Sequence, residues 1–141
     1  MIIEVTDSPN EADEALIIAQ TRAYNAAFVG KDFRSLCVFA RGADGAITGG
    51  LTGKTYWQYL EISFLWVDES HRLSGQGSRI LRAAETEARQ RGCQHAHLDT
   101  YSFQALGFYQ KNGYKEFGRL TGFGGQHVRH YLHKDFEVAD A

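Results

Sequence analysis

The stretch His71-Arg72-Leu73-Ser74-Gly75-Gln76-Gly77-Ser78 combines the residue types that a phosphate-binding turn needs. It is poor in bulky side chains and runs directly into a helix-forming segment. The first amides of that helix would have no intrahelical acceptor and would sit at its partially positive end. Glycines at 75 and 77 let phosphate oxygens approach the backbone with no Cβ in the way, and Arg72 adds a charge-assisted bond. A few such bonds at roughly 1.5 to 3 kcal/mol each suffice for a micromolar pyrophosphate site. The same string also reads as a glycine-softened helix start that binds nothing, and spacing alone leaves that open. Two other nucleotide readings fail on the residues. The dinucleotide fingerprint needs a third glycine and a later acidic residue, and the P-loop needs Gly-Lys-Ser/Thr.

Other residues could do chemistry and are weaker signals. His95 and His97 fall on one face of a strand candidate, and His127, His130 and His133 crowd another. Their spacings match no standard zinc pattern and no cysteine joins them, so no metal is expected. Cys37 and Cys93 stand far apart without a CxxC partner and are expected as ordinary buried thiols of a reduced, cytoplasmic protein. Trp57, Tyr59, Phe64 and Trp66 either pack in the core or line a ligand pocket, and the core is expected.

The elements that must position these residues follow from periodicity. Ile2 to Val5 is a short strand candidate, and Ser8-Pro9-Asn10-Glu11 predicts a helix capped by Ser8, with Pro9 at its first position and Glu11 completing a capping box. Ala12, Leu16, Ala19, Ala23 and Ala27 continue that helix, with Gly30 as its stop. Ser35 to Arg41 and Ala46 to Thr52 form a hairpin around Gly42-Ala43-Asp44-Gly45. Tyr56 to Val67, rich in aromatic and β-branched residues, predicts one long central strand. Gly75 to Arg91 predicts an amphipathic helix with Ile80, Leu81, Ala84 and Ala88 on one face, Glu85/Arg89 and Glu87/Arg91 pairs on the other, and Gly92 beyond its end. Ala96 to Thr100 is a strand, Ser102 to Asn112 a short helix ending at Gly113, and Tyr114 to Leu120 and His127 to Phe136 are closing strands around Gly122-Phe123-Gly124-Gly125. This order mixes hairpins with a strand-helix-strand crossover, which predicts an α/β (or α+β) fold with a mixed sheet.

Composition sets the outer bounds. With 141 residues, 43% of them hydrophobic, the chain suits one domain spanning residues 1–141 with its own core. A formal charge of -2 gives no basic excess for nucleic acid or an anionic membrane. The apolar runs fall far short of the ~20 residues of a membrane span.

With these residues in place, the chain resembles the GNAT superfamily of N-acetyltransferases. The family hallmark, Arg/Gln-x-x-Gly-x-Gly/Ala between a long strand and a helix, is matched by Arg72, Gly75 and Gly77. A second feature, Ala-x-x-x-Tyr followed by a Gly-aromatic pair, stands at Ala105 to Tyr109 and Gly113-Tyr114. The likeness runs from about Ile47 to the C-terminus. It implies a mixed, mostly antiparallel sheet flanked by helices, and direct acetyl transfer from acetyl-CoA as co-substrate to a primary amine of a small molecule or peptide. It also implies that the backbone of Leu65, Trp66 and Val67 holds the pantetheine arm and that Arg72, Leu73, Ser74, Gly75, Gln76, Gly77 and Ser78 hold the pyrophosphate. Ser102, where many members carry Asn, would cap the short helix and touch the coenzyme. By the same analogy Tyr109 protonates the leaving thiolate and Glu61, fourteen residues before Gly75, is the base, with Asp68 and Glu69 as weaker candidates. The rival readings are a non-catalytic acyl-CoA-binding or sensing module and a domain whose glycines merely shape turns. Acceptor walls are expected from the helix after Pro9 and the last hairpin, the acceptor itself stays open, and a homodimer is a family-based expectation.

Overall fold

The structure, a computed structural model, describes residues 1–137. The chain divides into two compact units, residues 1–31 and the remainder. In the first, helix α1 spans Glu11–Asn25. Its cap is Asn10, whose side chain accepts from the Ala12 amide at 2.8 Å, and not Ser8, whose hydroxyl donates to Asp7 instead. Asn is at least as good a cap as Ser, and with Asn10 in that place Pro9 lies outside the helix and no Ser8–Glu11 box forms. The helix ends at Asn25, five residues ahead of Gly30. Ile2 to Val5 form no strand, and their side chains are exposed. β-prone side chains do not hold a strand without a paired neighbour.

In the second unit, strand β1 (Arg34–Arg41) pairs antiparallel with β2 (Ile47–Tyr56) across the expected turn, where Gly45 adopts φ +84°. The expected single strand from Tyr56 to Val67 is broken near its start. Tyr56 closes β2, Trp57 and Gln58 turn with φ of 48° and 72°, and β3 runs Tyr59–Val67. Two consecutive left-handed residues make the tight hairpin turn that Asn-Gly normally builds. Here the Trp57 amide donates to Asp32 at 3.1 Å and its ring packs on Phe33 and Tyr56.

Beyond the phosphate-loop segment, helix α2 spans Gln76–Gln90. The remaining elements are β4 (His95–Tyr101), a short α3 (Leu106–Lys111), β5 (Lys115–Phe123) and β6 (His127–Asp135). The six strands form one sheet in the order β1-β2-β3-β4-β6-β5, antiparallel except where β3 meets β4. This is the mixed, mostly antiparallel α/β architecture that the sequence predicts. Helix α2 buries Ile80, Leu81, Ala84 and Ala88 against a sheet face carrying Leu51, Leu60, Ile62, Ala96, Leu98 and Leu132. Each buried Leu or Ile contributes about 1.5–3 kcal/mol, and the two alanines let helix and sheet approach. Gly92, at φ +90°, ends the helix, with Gly92 N–H donating to Arg89 and Cys93 N–H to Ala88.

Two side-chain expectations need correction. Glu87 does pair with Arg91 at 3.1 Å, but Glu85 turns away from Arg89. It accepts from Lys134 at 3.0 Å and from the Tyr114 hydroxyl at 2.8 Å, while Arg89 donates to the Glu137 carbonyl. Cys93 is buried, and that burial raises its thiol pKa, whereas Cys37 is exposed. Glu85→Ala would take the carboxylate from the Lys134 ammonium and leave the buried Tyr114 hydroxyl without its acceptor. Since Lys134 keeps 25% side-chain exposure and its bond to the Asn112 carbonyl at 2.9 Å, the expected loss is about 2 kcal/mol, below the usual cost of breaking a fully buried pair. A denaturant titration measures it.

Among the described residues no helix is long and apolar enough to cross a membrane.

Candidate active site

The two central strands create the site by separating. β3 and β4 pair in parallel over Tyr59–Glu61 and His95–His97, and no further. Just beyond, Ser63 is an extra residue in β3 opposite Thr52 and Gly53, a bulge that bends the strand. Gly53 must be glycine here, because a Cβ would collide with the Glu61 carbonyl. The splayed ends enclose a cavity of about 540 Å³ with Glu61 and Leu65 on one wall, Asp99 and Tyr101 on the other, and Tyr109 at its end. The backbone of Leu65, Trp66 and Val67 pairs with β2 on one side only. Its other edge is open for an added strand-like ligand.

Past Val67 the chain makes the phosphate-loop turn. The Asp68 amide donates to the Thr48 carbonyl at 2.7 Å, and the Asp68 carboxylate accepts from Ser70 and His71 across a 3₁₀ turn at Glu69–His71. Those bonds hold its pKa below the usual carboxylate range, so Asp68 serves the turn. Leu73 and Gly75 both take left-handed conformations, φ 66° and 80°, and Ser74 donates to the His71 carbonyl. The first intrahelical bond of α2 is Arg79 N–H to Gly75 at 3.1 Å, which places the Gln76, Gly77 and Ser78 amides ahead of the ladder. The first turn of α1 carries Glu11, Asp13 and Glu14, whereas that of α2 carries no acid. Its positive end is left uncompensated, as an anion site requires.

A second cavity, of about 420 Å³, adjoins this helix start. Leu65, Trp66, Val67, Arg72, Gly77 and Tyr109 are among its walls. Arg72 is fixed at its rim by Nε donating to the Val67 carbonyl at 3.1 Å. Gln76 turns its side chain inward, donating to Thr48 at 3.1 Å, and a Cβ on Gly49 would crowd its amide oxygen. The Ser78 hydroxyl accepts a long bond from Asn112. Ser102 departs from expectation. It lies four residues before α3, exchanging bonds with Val128 through its amide and hydroxyl, and it caps no helix.

Tyr109 joins the two cavities. It is buried, its ring held edge-on by Phe108 and Tyr114, and its hydroxyl has no hydrogen-bond partner among the described residues. Burial, and then the nearby Asp99 carboxylate, push its pKa up to about 12. Burial first, and then the Glu85 carboxylate that accepts its hydroxyl hydrogen bond, raise Tyr114 further still. A folded-state pKa above the ordinary 10 means that this stability is complete below pH 10 and is lost as pH climbs through about 12. We therefore expect Tyr109 and Tyr114 to be the last tyrosines to ionise in an alkaline absorbance titration, together with unfolding.

Glu61 accepts from the Tyr56 hydroxyl at 3.1 Å and lies 3.2 Å from Lys54 and 3.6 Å from His97. Sequence reasoning missed Asp99, paired with Arg129 at 2.9 Å in the same cavity, and missed His97 as a neighbour of Glu61. The period of two that aligns His95 with His97 also puts Asp99 on their face. The four strand aromatics are not core. Tyr59, Phe64 and Trp66 are exposed, and each of the four lines a cavity. Among the described residues no three His, Cys, Asp or Glu side chains gather as a metal site. His95 and His130 instead pair with Asp135 and Glu116.

The family model described as "Acetyltransferase (GNAT) family" matches residues 4–114. The chain belongs to the GNAT acetyltransferase family. A blasticidin-S acetyltransferase of Streptomyces morookaense is 39% identical to this acetyltransferase over 98 residues, covering 69% of this chain and 72% of that one. The crystal structure of an acetyltransferase from Bacillus cereus superposes with a TM-score of 0.84 at 32% identity, covering 94% of this chain and 98% of its own. A Bacillus anthracis structure in complex with acetyl coenzyme A superposes at 0.67, with 24% identity and coverage of 79% and 67%, a likeness of fold alone. For the GNAT fold of this chain, the open edge of β3, the acid-free start of α2 and the cavity between them form one continuous surface with Tyr109 at its inner end.

Proposed function

We propose that this acetyltransferase moves an acetyl group directly from acetyl-CoA to a primary amine of a small molecule. The observation that carries the reading is Tyr109, a phenol that lines, with Leu65, Gln104 and Ala105, both the cavity at the helix start and the cavity that holds Glu61. The fit to acetyl-CoA rests on this chain's own groups. The amides of Gln76, Gly77 and Ser78 with Arg72 suit a pyrophosphate, and the free edge of Leu65 to Val67 suits a pantetheine amide chain. Gly77 puts no side chain into this wall, although a Cβ there would find only an ordinary contact, 3.4 Å, with the Phe108 ring.

Acetyl-CoA supplies an activated thioester. The residues must bring a neutral amine to it and supply a proton to the departing sulfur. Deprotonating an alkylamine of pKa ~10.4 at neutral pH costs roughly 4 to 5 kcal/mol. Glu61, with His97 and Tyr56 ordering its carboxylate, takes that proton directly or through water. Tyr109 donates the second proton, and its high pKa keeps the hydroxyl protonated at every working pH.

The relative that acetylates blasticidin S and the number of polar groups in the split cavity favour a small acceptor. The test is CoA release with acetyl-CoA across blasticidin S, polyamines, amino acids and a peptide N-terminus. Saturable turnover on at least one small amine is expected. Stabilisation by acetyl-CoA with no turnover on any of them would replace the reading with a non-catalytic acyl-CoA-binding module.

A further inference from the structure

On the sheet face beside Glu61 lies a third cavity, of about 640 Å³, bounded by Tyr56, Trp57, Tyr59, His97, Phe117 and His133. We propose that this cleft is the acceptor subsite and that it selects amines carried on a planar aromatic or heteroaromatic group, an inference that rests on the transfer reading above.

Its volume suits a small organic ligand, and every lining side chain is a ring. The rings come from separate elements, namely β2, the β2–β3 turn, β3, β4, β5 and β6, and neighbouring rings brace one another. Tyr56 stacks on Phe33 at 4.7 Å, Tyr59 stacks on His95 at 4.7 Å and meets His97 edge-on at 5.6 Å, and Phe117 meets His133 edge-on at 5.5 Å. Rings held this way present fixed faces and edges, so a ligand does not have to order them. An aliphatic body gains burial from such walls. A flat π system gains offset and edge contacts as well, because ring quadrupoles favour those arrangements.

Charge and connectivity agree. Among the described residues no Lys or Arg lines the cleft, and its inner wall, His97, also borders the cavity containing Glu61. At that corner the chain already seats an ammonium. Lys54 Nζ lies 3.2 Å from Glu61 and 5.7 Å from the Tyr56 ring centre. A ligand amine brought to the same corner takes the place of the half-exposed Lys54 ammonium at that carboxylate and ring face, with the acetyl-transfer cavity directly beyond His97.

The experiment compares naphthylmethylamine with its fully saturated decahydro counterpart, equal in carbon skeleton and amine but lacking the π system. Calorimetry on the full chain with CoA present gives Kd for each, and the acetylation assay gives kcat/KM for each. We expect the aromatic amine to be favoured by about tenfold or more in both. Joint Tyr59→Leu and Phe117→Leu substitution should erase that preference while the thermal shift with acetyl-CoA stays unchanged. Both side chains are exposed, at 38% and 62%, so the fold should survive. Equal binding of the two amines, binding of neither, or a preference that survives the double substitution would overturn the proposal. Aromatic-selective binding without acetylation would instead sink the transfer reading and leave the cleft standing. Equally fast acetylation of both amines would sink the cleft and leave transfer standing.

Discussion

Tyr109→Phe is expected to lower kcat by about a hundredfold while KM for acetyl-CoA moves by less than about threefold, the pattern of a group acting only in the transition state. The substitution removes one oxygen. The ring keeps its edge contacts with Phe108 and Tyr114, and the lost hydroxyl has no protein partner among the described residues. Melting temperature should therefore stay close to wild type, since the hydroxyl faces the cavities and makes no protein hydrogen bond to lose. The pH profile supplies a second check. Because the Tyr109 pKa is pushed up to about 12, the wild-type rate should show no alkaline decline from this group until the protein itself begins to unfold. Turnover equal to wild type in the Phe variant would remove Tyr109 from the mechanism and leave it as a packing residue.

Much of this site could be read from the residues because its chemistry depends on local backbone. A glycine turn feeding a helix is specified within eight residues, His71 to Ser78, and the structure has that turn, the left-handed Gly75 and the helix start there. What escaped depends on distant partners. The Trp57-Gln58 turn carries no Asn or Gly, and its supports are distant in sequence: Trp57 packs on Phe33 and its amide donates to Asp32, while the Gln58 carbonyl accepts from the Gln94 and His95 amides, and no local rule reveals those. Ser102 looked like a cap because a Ser ahead of a helix usually is one, yet Val128 in β6 claims both its polar groups. Asp99 and Arg129 lie thirty residues apart and meet only because β4 pairs with β6. The aromatic strand residues were expected inside since apolar alternation normally marks a buried face. In this sheet the splaying of β3 from β4 leaves Phe64 and Trp66 as cavity walls, while Tyr59, still paired with β4, and Trp57 in the β2–β3 turn line the cavity on the sheet face.

Gly77→Asp separates ligand binding from folding by driving the two in opposite directions. Position 77 is the second residue of α2, and the first turn of that helix has no acid. A carboxylate there meets the positive end of the helix dipole, which is worth typically 0.3–1 kcal/mol of stabilisation. The new Cβ stands 3.4 Å from the Phe108 ring, an ordinary contact. Gly77 itself has no positive φ to relieve, unlike Gly75. The melting temperature should therefore stay level or rise by a degree or two. The same carboxylate occupies the ground that a pyrophosphate needs and repels it, so the Kd for acetyl-CoA should rise by about a hundredfold, or ~2.7 kcal/mol. If the glycines only softened a helix start, the variant would be more stable and bind acetyl-CoA as before. A pair of measurements, thermal melting and coenzyme titration on one purified variant, therefore decides whether the uncompensated end of α2 is a binding surface or an unused helix end.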